Sequence, residues 1–203
     1  MPRAPRPTPY LITSLAQIRA LRSPVRQEII DAVSAAGPCT IARLAGLLDR
    51  RPDGLYFHIR ALERVGLLVA QGMSRAGRHA AAVYDLPGHP VQLHYEPTDP
   101  ANLRAIAGVV GGVLRLTKRD FARSLGKPWA VTEGPRRNTW GGRARGWLTP
   151  MQAARINRHI AAIIDLVRSA RPRPGARPHA VTFVLTPLAL PAPKTTTPAR
   201  KDT

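Results

Sequence analysis

Apolar residues recur every three to four positions in five stretches of the chain, and each recurrence predicts a helix with one buried face. Val25, Ile29, Ile30 and Val33 mark the first, opened by Ser23 and Pro24 as an N-cap and N1 pair and stopped by Gly37 and Pro38. Ile41, Leu44, Ala45 and Leu48 mark the second, which Thr40 is placed to cap and which ends near Asp49. The third runs from Pro52 to Val65, with Leu55, Ile59 and Leu62 inward and Gly66 as its stop. After Gly66 the period changes. Leu67–Met73 and Ala80–Leu86 are β-prone stretches around the polar turn Ser74–His79, the pattern of a hairpin. Three short helices and a hairpin form a winged helix-turn-helix over residues 14–88.

Beyond residue 88 the pattern predicts a looser region. Val91–Tyr95 alternates as a half-buried strand, and Ala180–Leu185 reads as a second strand able to pair with it. Asp99 and Pro100 open a long helix with Leu103, Ile106, Val110, Val113, Phe121 and Leu125 on its buried side. Gly108, Gly111 and Gly112 inside it cost roughly 1 kcal/mol each against alanine, which points to close helix contact or a break. Thr149, Pro150 and Gln152 fit the cap, N1 and N3 positions of a capping box, ahead of a stripe of Ile156, Ile160, Ile163, Ile164 and Val167. The fold class expected is therefore α+β, mainly helical: a winged helix-turn-helix, then a region of helices and a few strands over 89–190. That second region is expected to dimerise and to hold any effector pocket. Residues 1–13 and 191–203 are Pro-rich or polar and read as tails.

Charge changes the picture. In 203 residues, 31 Lys+Arg face 12 Asp+Glu, a net +19 that favours a polyanionic partner, nucleic acid before anionic lipid. The excess is uneven: residues 136–203 hold thirteen basic residues and two acidic ones. The longest apolar run, Ala105–Leu114, is ten residues, too short for the roughly 20 of a membrane span. No apolar stretch follows the amino-terminal charges, so no secretory signal is expected there. Cys39 is the single cysteine and permits no internal disulfide, which fits a reducing, cytoplasmic setting.

The chemistry expected to matter lies on the third helix. With Leu55, Ile59 and Leu62 inward, its outer side presents Arg51, Asp53, Gly54, Tyr56, Phe57 and Arg60. Such a face suits a major groove about 12 Å wide, where arginine pairs with guanine and apolar groups meet the thymine methyl. Arg50 beside it, and Arg75 and Arg78 at the hairpin tip, complete the set expected to touch DNA, the last two at phosphate or the minor groove. His58 is read as packing support and Cys39 as a small buried hydrophobe. Trp129, Trp140 and Trp147 fall in an arginine-rich stretch and are read chiefly as core plugs, with a ligand, partner or nucleic-acid surface as the alternative.

The motifs LRSPVRQEII, TIARLAGLL and LYFHIRALERVGLL, spread over about a third of the chain, make it resemble the winged helix-turn-helix of ArsR-like bacterial transcriptional regulators. The resemblance implies a DNA-binding homodimer acting at a promoter, with the helix Pro52–Val65 in the groove. The paired cysteines of metal-sensing members are missing, so metal sensing by that route is not expected. No Walker loop, HExxH or G-x-S-x-G elbow occurs, and neither an enzyme, a metal nor a cofactor is expected. The expected function is sequence-specific transcriptional regulation on double-stranded DNA. The alternative is nonspecific binding of nucleic acid through the basic final third.

Overall fold

The computed structural model describes residues 8–74 and 80–189. In chain order the elements are β1 (Tyr10–Ile12), α1 (Leu15–Ala20), α2 (Pro24–Ala36), β2 (Cys39–Thr40), α3 (Ile41–Leu48), α4 (Asp53–Arg64), β3 (Val69–Ser74), β4 (Ala81–Asp85), β5 (Val91–Leu93), α5 (Pro100–Ser124) and α6 (Pro150–Ser169). The mainly helical α+β class expected from the pattern holds.

One core binds α1, α2, α3, α4 and α5 together. Ile18, Ile29, Val33, Leu44, Leu55, Ile59 and Leu62 are fully buried in it, with Leu67 and Leu68 closing it from the start of the hairpin. Burying each such side chain is worth roughly 1.5–3 kcal/mol. The expected helix boundaries hold to within about a residue, while the first hairpin strand starts at Val69 rather than Leu67. Thr40 Oγ1 accepts a hydrogen bond from Arg43 N and so caps α3. Ser23 occupies the N-cap of α2 but its hydroxyl makes no cap bond. Gly66, at φ +71°, ends α4 in a conformation that a side chain would strain.

The hairpin is a three-stranded sheet in the order β2-β4-β3. Val69 lies opposite Asp85 and Ser74 opposite Ala81, with an irregularity between Ala70 and Met73. β2 is too short to show a period, and its Cys39 is buried where the strand meets β4. The expected tip residues Arg75 and Arg78 fall outside the described residues, as do most of the two tails.

Several expectations for the ends and the second half require correction. Tyr10–Ile12 does not belong to an arm: it forms β1, which pairs in parallel with β5 and buries Ile12 completely. β1 therefore takes the place beside β5 that Ala180–Leu185 was expected to fill, and Ala180–Leu185 is not a strand. The helix at 100–124 is unbroken, yet its buried side is Asn102, Ala105, Ile106, Val109, Gly112 and Leu116. Of the expected stripe only Ile106 is buried; Leu103, Phe121 and Leu125 are exposed. The reason is close approach. At Gly112 a Cβ would stand 2.9 Å from the Arg22 carbonyl oxygen, so a glycine sits at the closest approach and the buried side is the one centred on it, with Ile106, Val109 and Leu116 along it. α6 forms with the expected capping box between Thr149 and Gln152, but none of its residues is buried. The tryptophans do not plug the core either: Trp140 and Trp147 are about 70% exposed, and the Arg137 guanidinium stacks over Trp140 at 3.6 Å.

Candidate nucleic-acid interface

The turn between α3 and α4 sets the angle at which α4 is presented. Asp49 adopts the left-handed conformation at φ 50°, and Arg50 N donates to the Ala45 carbonyl at 2.9 Å, closing α3 before the chain turns. Leu55 N donates to the Pro52 carbonyl at 2.9 Å, and Asp53 in the first turn complements the helix dipole. From there the helical period decides each side chain's direction. Leu55, Ile59 and Leu62 point into the core, and Arg51, Asp53, Gly54, Tyr56, Phe57 and Arg60 are all exposed. Phe57 at 74% and Tyr56 at 46% are the informative cases, because a folded chain gains nothing by holding two adjacent aromatic rings in water.

Arg50 departs from the expected set. Its Nε and Nη2 donate to Glu28 Oε2 at 3.2 and 2.7 Å, and Arg119 of α5 holds the same carboxylate. Two guanidiniums thus offset the burial that opposes ionisation, and the Glu28 carboxyl is held below the usual range. Arg50 is a tie between the turn, α2 and α5, with its Nε and Nη2 engaged by Glu28. The sequence carries no period that could have revealed this, since Glu28, Arg50 and Arg119 are far apart in the chain.

His58 lies at the side of the exposed face, edge-on to Phe57 with ring centroids 5.5 Å apart. Its Nδ1 is buried without a hydrogen-bond partner, and burial, then the charges of Arg26 and Arg50, hold its pKa below the ordinary histidine value. This favours the neutral ring, in keeping with packing support. Gln71 of β3 donates to Asp85 at 3.2 Å, bracing the base of the wing. Among the described residues no group of three or more His, Cys, Asp or Glu converges as metal ligands would. No helix there is long and apolar enough to cross a membrane.

Three helices around one core, a tight turn ahead of an amphipathic helix, and a hairpin behind it define a winged helix-turn-helix. Residues 21–70 match the family model described as a helix-turn-helix domain, the kind of domain used in DNA-binding transcription regulation. No curated protein matches the chain. A solved structure from work on how 6-hydroxynicotinic acid regulates DNA binding by Bordetella bronchiseptica BpsR is similar at 15% identity, over 74% of this chain and 78% of that one. Its TM-score is 0.28, too low to bear on the fold.

Proposed function

We propose that the protein is a transcriptional regulator of the ArsR-like kind, a binding protein rather than an enzyme, that reads a specific duplex sequence as a homodimer. The observation that carries this reading is the exposed face of α4, where Arg51, Asp53, Tyr56, Phe57 and Arg60 stand clear of the core around a helix fixed by Leu55, Ile59 and Leu62. Arginine offers guanine a two-pronged donor, Asp53 an acceptor for the cytosine amino group, and the rings an apolar surface for thymine methyls. The wing, β3 and β4, flanks that face and would lie along the backbone or minor groove. α6 supports the second copy: Leu166 is 72% exposed and Ile163 is also exposed on a helix with no buried residue.

Selection from a randomised duplex library with the full chain tests the reading. A symmetric reader recovers an imperfect palindrome with half-sites about 10 bp apart, or a multiple. A pool that remains random contradicts it. The basic residues at 136–203 favour a second, nonspecific contribution, because α6 and the segments around it present their arginines to solvent. That contribution weakens steeply with salt and is the same on every sequence.

A further inference from the structure

A cavity of about 580 Å³ opens between α1, the α1–α2 corner and α5, lined by Arg19, Arg22, Ser23, Arg26, Gly108 and Arg115 among others. Four arginines line it and the lining contains no carboxylate. The ion pairs among the described residues involve Arg50, Arg119, His89 and His94, and none involves these four arginines. Like charges gathered without a counter-charge repel one another and cost free energy.

The arrangement is built rather than incidental. Gly108 lets the Arg22 side chain lie against α5, where a Cβ would come within 2.6 Å of its Nε and 3.0 Å of its Cδ. Arg115 Nη2 donates to the Arg22 carbonyl at 3.5 Å, a long bond that leaves most of its fork unengaged. Arg26 Nε is shielded from water and has no hydrogen-bond partner, a charged donor left unsatisfied. Burial alone holds the Arg26 pKa below its ordinary value, where a bound anion would raise it. Ser23 also lines the cavity, and because its hydroxyl does not cap α2 it remains available as a donor beside the first-turn amides of that helix.

We propose that this cavity binds a small free oxyanion, a carboxylate or a phosphate, clamped by Arg19, Arg22, Arg26 and Arg115 with the Ser23 hydroxyl as a further donor. Planar guanidiniums match the two oxygens of such a group, which is why arginine serves this purpose better than lysine. The site stands whether or not the outer face of α4 reads DNA. It is also electrostatically linked to α4: after burial, the Arg26 charge is the next cause that holds the His58 pKa down, so an anion on Arg26 would change the field at that helix.

Calorimetric titration of the full chain with inorganic phosphate, and separately with malonate, at fixed ionic strength and without DNA tests the site. One-to-one saturation is expected, weakened at least tenfold in Arg22→Gln/Arg115→Gln and unchanged within twofold in Arg155→Gln/Arg158→Gln, which removes equal charge from α6. No saturation by either anion, or equal losses in both double variants, overturns the proposal. If the first double variant does not unfold cooperatively, Arg115→Gln alone is read, with a threefold loss expected and an unchanged affinity overturning it. A final arm identifies the source of the anion. In phosphate-free buffer, duplex affinity of the folded pocket variant is expected to match that of the wild type within twofold. A tenfold loss would make the cavity a DNA-backbone contact and overturn a free-anion site.

Discussion

Phe57 and Leu55 are two positions apart on one helix and differ completely in what they do for the fold. Leu55 is fully buried, and Leu55→Ala is expected to cost about 2–5 kcal/mol in chemical denaturation. Phe57→Ala is expected to change stability by less than about 0.5 kcal/mol while weakening duplex binding, since its ring is 74% exposed and its aromatic contact among the described residues is edge-on to His58. A large stability loss at Phe57 would make it a structural residue and remove it from the interface. Glu28 gives a pH test with a definite sign. Its pKa is depressed in the folded state, so its stabilisation is present above the unfolded value of about 4.3 and is lost as pH falls through the lower folded value. Melting temperature should therefore fall more steeply on acidification below about pH 5 in the wild type than in Glu28→Gln, and parallel curves would refute the role given to the Arg50–Glu28–Arg119 tie.

The helices that carry the candidate interface were legible because one period governs both their burial and their exposure. In α4 the spacing of Leu55, Ile59 and Leu62 determines the inner side and leaves Tyr56, Phe57 and Arg60 on the outer one, with His58 and Ala61 at its edge. α5 misled for the opposite reason. Most of its expected stripe is left outside the core, because the helix approaches the α1–α2 corner closely enough that Gly112 sits against a carbonyl oxygen, and Gln27 Nε2 donates both to Leu21 O and to Val109 O across that contact. The close approach at Gly112 fixes the buried side there, and Ile106, Val109 and Leu116 share it. Gly112→Leu should accordingly push α5 away and lower the melting temperature by several degrees, whereas Gly111→Ala, which meets only Arg115 Nη1 at 3.5 Å, should change it little. Equal tolerance of both changes would contradict the packing described. β1 was hidden by its proline-rich surroundings, and the Arg50–Glu28 ion pair leaves no mark in local sequence.

Taken as a whole, the chain has a well-buried helix-turn-helix to which α5 is firmly tied, and an apolar-striped helix, α6, that contributes nothing to that core. If α6 meets a second copy, light scattering should give twice the 22.1 kDa of one chain, and Ile163→Asp/Leu166→Asp should reduce it to a single chain without lowering the melting temperature. A monomeric wild type would remove the dimer and leave the face of α4 to read a single half-site. That face is the centre of the account, and Arg60 is its most direct probe. Anisotropy titrations of the wild type and Arg60→Ala on the selected duplex and on a scrambled duplex of the same composition, at one salt concentration, should show a loss of about 1–3 kcal/mol on the first and almost none on the second. Equal losses on both duplexes would mean that the helix feels only phosphate charge, and the reading of sequence by α4 would be wrong.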